Sequence, residues 1–257
     1  RDFGAAMRDA AADDVRFSGT RFGDVVHGAF ETVDFAAWNG WRDGPPPVGQ
    51  QAALIEAFRA QGYVQAEIDD GLPLLASLVG HTLTAAMPEG ARLCDVPASS
   101  RRAEMEFHFA LARVDVDALL ATVQAHGLLT GREGFGSRRV LDGLMTGKID
   151  LVYAHAGRYH VLDYKTNRLP DYEPATLQRA MHEGEYTLQA AIYSLALHRW
   201  LRFRLGDAYD YARDFGGVRY VFCRGVDARR AASPGIHAAR LPVQLVDALD
   251  RLFGGDA

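Results

Sequence analysis

The stretch Lys148 to Asn167, KIDLVYAHAGRYHVLDYKTN, decides the fold. Ile149 to Ala154 is mostly apolar and β-prone, and so is Tyr159 to Tyr164, which predicts two strands. Ala156-Gly157 lies between them as a short turn, glycine being able to take positive φ. A two-residue turn pairs His155 with Arg158. Each step back along one strand is then a step forward along the other, so Asp150 falls opposite Asp163. The two carboxylates would share one face of the sheet with Cβ atoms about 5 Å apart. Lys165, two residues beyond Asp163, points to the same face.

Two directly opposed carboxylates repel and destabilise a hairpin, so a fold that keeps them needs a compensating charge. A divalent cation supplies it: Mg²⁺ takes one or two carboxylates and keeps several waters. A lysine beside it could orient or deprotonate one of those waters. Aspartate, twelve residues, then Asp163-Tyr164-Lys165 therefore reads as a metal-dependent hydrolytic constellation. The competing reading is a surface hairpin with solvated charges, Lys165 simply pairing with Asp163. Both strands are apolar on both faces, which favours a covered, central position. Lysine usage points the same way. Of 28 basic residues only Lys148 and Lys165 are lysines, so an ammonium inside the aspartate motif looks selected; unlike guanidinium it shifts its pKa when buried.

The remaining composition sets bounds. A chain of 257 residues is one large domain or one domain with a helical appendage. Its 48% apolar and 24% charged residues are those of a globular protein. There is no apolar run long enough for a transmembrane helix and no signal-peptide order at the start, so the expectation is cytoplasmic and without a membrane partner. The first residue is Arg1 rather than methionine, and the expectation is a piece of something larger. Cys94 and Cys223 are too few for a disulfide framework or a four-cysteine metal site. The net charge of −5 does not announce nucleic-acid binding. A polyanion would need a local basic surface, for which Arg199, Arg202 and Arg204, or Arg138-Arg139, are candidates; for any single one the stronger reading is an ordinary solvated arginine.

Along the chain, Phe22 to Trp38 has helical spacing with Val26, Phe30 and Val33 on one side and Asp24 as N-cap. Gln50 to Ala60, Pro73 to Met87 and Asp115 to His126 read as further helices. Glu104 to Arg113 alternates as a strand, and Gly131 to Gly147 reads as a loop. After the hairpin, Pro174 to Leu205 is helical with a break near Gly184. Gly216-Gly217 precedes a strand, Val218 to Cys223, and Pro242 to Phe253 is a closing helix. This order predicts an α/β fold: a mixed central sheet of about four strands flanked by helices, restriction-endonuclease-like, with a helical N-terminal region. Residues 1–257 would form a single domain, with a mainly helical part to about residue 103 and a sheet-containing core from about residue 104.

Other residues could support the hairpin. Tyr186, Gln189 and Tyr193 form one stripe on a helix that could face metal or substrate; equally, the tyrosines could be core residues and Gln189 exposed. His27 could complete a metal site with Asp150 and Asp163, or form a surface pair with Glu31 one turn later. Gly143 to Lys148 is one residue short of a phosphate loop, and Ile149 stands where Ser or Thr should hold Mg²⁺. No ATP site is expected by that route.

Taken in order, these segments resemble the RecB-type nuclease domains of the PD-(D/E)xK superfamily. The resemblance is carried by Gly23-Asp-Val-Val-His27, Glu104-Met-Glu-Phe107, Gly147-Lys-Ile-Asp-Leu151 and Leu162-Asp-Tyr-Lys-Thr-Asn167. Tyr186 to Tyr193 with Leu195 to Arg199, Phe215-Gly-Gly-Val218 and Arg224-Gly-Val226 follow. The resemblance implies that His27, Asp150, Asp163 and the backbone carbonyl of Tyr164 hold Mg²⁺. It implies that Lys165 is the catalytic lysine, and that Gln189 and Tyr193 are a QxxxY motif near the active site and the DNA strand. Glu106 matches a recurring acidic position without a role. Ile149 replaces the proline of the superfamily's name, as is usual in this branch. A sister branch with a four-cysteine iron–sulfur cluster is excluded by the two cysteines.

The implied activity is Mg²⁺-dependent hydrolysis of single- and double-stranded DNA, as exonuclease or endonuclease, in double-strand break processing and recombinational repair. The implied partners are the helicase domains of a parent chain and RecC- and RecD-type subunits, in a cytoplasmic, nucleoid-associated setting. Two rivals remain. One is a non-catalytic DNA-binding or scaffolding module with this fold, against which the intact Asp/Asp/Lys set argues. The other is a hydrolase acting on another phosphodiester such as RNA, which the hairpin alone permits.

Overall fold

The hairpin closes through Ala156 (φ 48°) and Gly157 (φ 77°) in the computed structural model, which describes residues 14–134, 136 and 138–254. Two consecutive residues at positive φ make a type I′ turn, whose twist matches that of the flanking strands. The strands are β2 (Val140–His155) and β3 (Arg158–Lys165). They pair antiparallel from His155↔Arg158 through Val152↔Val161 to Leu151↔Leu162, the register the sequence calls for. Val152, Tyr153, Val161 and Leu162 are all buried, as expected of strands covered on both faces.

The other strands are β1 (Arg101–Asp115), β4 (Phe215–Phe222) and β5 (Ile236–Ala239). Among the described residues they form one mixed sheet in the order β1-β2-β3-β4-β5, with β3 in the middle. The helices are α1 (Gly19–Thr32), α2 (Gln51–Ala60), α3 (Gln65–Thr84), α4 (Val116–Gln124), α5 (Pro174–Glu183), α6 (Tyr186–Leu205), α7 (Tyr211–Asp214) and α8 (Val243–Leu252). The architecture is the expected mixed sheet flanked by helices, with five strands where the sequence suggested about four. None of the described helices is long and apolar enough to cross a membrane.

Several local expectations need correction. The first helix starts after Ser18, not at Asp24, and ends at Thr32. Phe35–Trp38 is a separate 3₁₀ turn whose Ala36 amide donates to Asp34 Oδ1 at 3.1 Å. α3 begins at Gln65, well before Pro73, which sits inside it. Glu67 starts that helix by accepting the Val64 amide at 3.0 Å, a reach-back typical of a first turn. The glycine-rich segment expected as a loop to Gly147 is already strand from Val140; Phe135 and Ser137 of it, like residues 1–13 of the expected helical front, lie outside the described residues. Gly216 and Gly217 are inside β4, not before it. Gly216 leaves room for the His160 ring, and Gly217 (φ 100°) lets the Ala239 carbonyl approach.

The chain divides into two compact units. One holds Asp163–Leu177, Tyr220–His237 and the chain before Arg102. In it α1, α2 and α3 pack on one another around an aromatic cluster of Phe17, Phe22, Phe58 and Tyr63. The other holds Arg102–Leu162, Gln178–Arg219 and the chain after His237. There α8 packs on both α4 and α6. Asp115 caps α4 by accepting the Ala118 amide at 2.8 Å, close to where the sequence placed that helix's start.

Candidate active site

Within the first unit, the end of β3 is arranged against α1. Tyr164 is 2% exposed, and its ring stacks on Phe30 with centroids 3.9 Å apart and planes within 8°. His27, one turn before Phe30 on the same helix face, meets the Tyr164 ring edge-on at 6.2 Å. Gly23, a further turn back, brings α1 close to Thr166: a Cβ there would touch its Oγ1 at 3.5 Å. The α1 residues at 23, 27 and 30 thus face the segment from Tyr164 to Thr166. Asp163, 2% exposed, pairs with Lys165, whose Nζ lies 2.5 Å from Oδ2. That ammonium also lies 5.5 Å from the centre of the Tyr220 ring. A carboxylate so deeply buried is tolerated only against positive charge.

The chain leaving β3 is held by groups that the sequence reading did not single out. Arg224 Nε donates to the Thr166 carbonyl at 2.9 Å, and its guanidinium lies over Phe22. Tyr172 donates to the Asn167 carbonyl at 2.9 Å. Arg224 stood in a segment of the resemblance, but nothing in the sequence shows that its target is a backbone carbonyl.

Within the second unit, the expected polar stripe on α6 is real. Gln189 Nε2 donates to the Tyr193 hydroxyl at 2.8 Å, and that hydroxyl donates to the Lys148 carbonyl at 2.9 Å. The carbonyl can only accept, so the one phenolic proton goes to it and the amide N–H goes to the phenol. This fixes which way the Gln189 amide points. Tyr193 is buried and its ring meets Phe107 edge-on. Lys148 pairs with Glu104, which β1 presents from a positive-φ position (φ 52°). Tyr186, Gln189 and Tyr193 line a cavity of about 430 Å³ together with Phe107, Met145 and Gly147.

Asp150 is half-buried on β2, next to Leu151, whose ladder partner is Leu162. Glu106 is exposed, 4.0 Å from His108, with no partner that gives it a role. Arg199 and Arg202 are not a solvated basic patch: both pair with Asp250, at 2.5 and 2.8 Å. Among the described residues no three His, Cys, Asp or Glu side chains are gathered ready-made around one point.

Comparisons with known proteins agree on one family. The profile of the PD-(D/E)XK nuclease superfamily matches residues 3–249. The RecBCD enzyme subunit RecB of Escherichia coli is 33% identical over 240 residues, covering 91% of this chain and 19% of that protein. The RecB subunit of Haemophilus influenzae is 38% identical over 169 residues, covering 64% of this chain and 14% of its own length. That of Mycobacterium tuberculosis is 33% identical over 270 residues, covering 92% and 24%. The chain therefore spans about a fifth of the length of these relatives.

Proposed function

Because the chain belongs to the PD-(D/E)XK nuclease superfamily, we propose that it is a Mg²⁺-dependent deoxyribonuclease, the nuclease module of a RecB-type helicase-nuclease. Nucleases of this superfamily generally depend on a divalent metal. Its setting would be the processing of DNA breaks in the cytoplasm, with helicase domains and RecC- and RecD-type subunits as partners. The observation that carries the reading is the hairpin register. The pairs seen from His155↔Arg158 to Leu151↔Leu162 are those on which the facing of Asp150 and Asp163 was inferred.

The chemistry of the donor types suits such a metal. Asp150, Asp163 and the Tyr164 carbonyl offer hard oxygen ligands and His27 an imidazole, a set suited to a small divalent cation. When bound, that cation lowers the pKa of a coordinated water and draws charge from a phosphate oxygen. Lys165, already aimed by Asp163, orients the attacking water and offsets charge on the phosphate. The water oxygen bonds to phosphorus, the P–O3′ bond breaks, and the products are a 5′-phosphate and a 3′-hydroxyl. Tyr193, held on the Lys148 carbonyl, and Gln189, held on Tyr193, steer the strand.

The test is cleavage of linear single- and double-stranded DNA with Mg²⁺ or EDTA. Mg²⁺-dependent cutting should fall at least about 100-fold in Lys165→Ala and in Asp150→Asn, with circular dichroism unchanged. Full activity in either variant would overturn the site assignment. Binding without cutting by the unaltered chain would favour the non-catalytic module.

A further inference from the structure

One guanidinium joins the two elements that carry the candidate metal ligands of the first unit. Those elements are α1, with His27, and the end of β3, with Asp163 and Tyr164. They approach closely, since a Cβ on Gly23 of α1 would already touch Thr166. Arg224 stands in the 3₁₀ turn Cys223–Gly225 that follows β4. Its Nε donates to the Thr166 carbonyl at 2.9 Å, and its Nη2 donates to the Phe17 carbonyl. Thr166 follows Lys165 directly, and Phe17 lies two residues before α1 begins at Gly19. The two N–H groups share one edge of the planar guanidinium. That edge commonly grips a carboxylate or a phosphate; here it grips two main-chain carbonyls.

Both ends of this strap are themselves anchored. The Phe17 ring is fully buried and lies against α3 at Gly71, where a Cβ would stand 2.5 Å from its Cε1. The neighbouring Arg16 carbonyl accepts from the Tyr63 hydroxyl at 2.7 Å. On the other side the Tyr172 ring lies on Gly225, where a Cβ would stand 2.2 Å from its Cγ, and the hydroxyl of Tyr172 holds the Asn167 carbonyl. The fork of Arg224 therefore spans two fixed stretches of backbone.

We propose that Arg224 is a positioning residue of the metal site: by bridging the two carbonyls it sets the spacing of His27 from Asp163 and the Tyr164 carbonyl. The inference rests on the nuclease reading above and names what keeps that part of its site in register. Donors bind an ion tightly only when their supports hold them near the final geometry, and removing such a support usually weakens metal binding by about 10- to 100-fold. A lysine has one nitrogen where the strap uses two, so its charge alone does not replace the fork.

The test measures Mn²⁺ binding to the whole chain by calorimetric titration without DNA, beside the urea midpoint and circular dichroism of each variant. Arg224→Lys and Arg224→Met should each weaken Mn²⁺ binding about ten-fold or more. Leu249→Ala truncates a buried core residue of α8, in the other unit. It should lower the midpoint and leave Mn²⁺ affinity unchanged. If Arg224→Met fails to fold, Arg224→Lys, which keeps the charge, decides. Unchanged affinity in Arg224→Lys, or an equal loss in Leu249→Ala, overturns the strap. Mn²⁺ binding and DNA cutting by the unaltered chain uphold the nuclease reading whichever way the Arg224 variants fall. An unaltered chain that neither binds Mn²⁺ nor cuts overturns both.

Discussion

A single phenolic hydroxyl shows what the residue scale adds. Tyr193 spends its proton on the Lys148 carbonyl and its lone pair on Gln189, joining α6 to β2. Tyr193→Phe keeps the ring against Phe107 but leaves a carbonyl and an amide short of one partner each. The expected cost is about 1–3 kcal/mol, read as a lower urea midpoint. An unchanged midpoint would show that this linkage contributes nothing. The pairing of Gln189 with Tyr193 was legible, because residues four apart on a helix are neighbours. Its continuation to Lys148 was not, since a main-chain acceptor leaves no mark in a sequence. The same limit hid Arg224, whose partner is the Thr166 carbonyl. The partner of Lys148 was hidden for another reason: Glu104 reaches it from an irregular point in β1 that alternation does not reveal.

At the scale of elements, the hairpin was readable because a two-residue turn fixes every pair behind it. The turn is nonetheless imperfect. Ala156 holds φ 48°, where an L-residue with a Cβ is strained by roughly 1 kcal/mol. Ala156→Gly should relieve that strain and raise stability by about 0.5–1 kcal/mol, measurable as a higher denaturant midpoint with an unchanged slope. A lower midpoint would mean that the added freedom of the unfolded chain outweighs the relief. Other elements were harder to read. β5, Ile236-His-Ala-Ala239, is too short to show a period. The start of α3 was misplaced because proline is favoured at a helix's first position, whereas Pro73 lies in the interior. There its missing N–H omits one hydrogen bond of the ladder.

Across the whole molecule, the net charge of −5 conceals how the charges are spent. Burial alone would raise the Asp250 carboxyl, but the hydrogen bond from Arg199, with Arg202 beside it, outweighs that and holds it below the usual carboxylate range. His198 goes down as well, because burial and then the charge of Arg202 disfavour its protonated form. Both folded-state values lie below the unfolded ones, so in each window the unfolded chain takes up its proton first. The contribution of His198 is complete above about pH 6.5 and is lost as pH falls from there toward its folded value. That of Asp250 is lost lower, through the carboxylate range. The melting temperature should therefore hold from pH 8 to 7, decline below about 6.5, and fall further in acid. His237 is pushed down by burial as well, so His198→Gln should shrink the first decline without abolishing it, and a variant that keeps the full decline would assign it to other groups. The scarcity of lysine has one more consequence. Lys148 is half exposed beside Glu104, and Lys165 is 14% exposed on Asp163. The other 26 of the 28 Lys and Arg residues are arginines. The side-chain amines of this sequence that an acylating reagent or an acetyltransferase can meet both lie on one hairpin, so any acyl mark found on a side-chain amine of it reports on that hairpin alone.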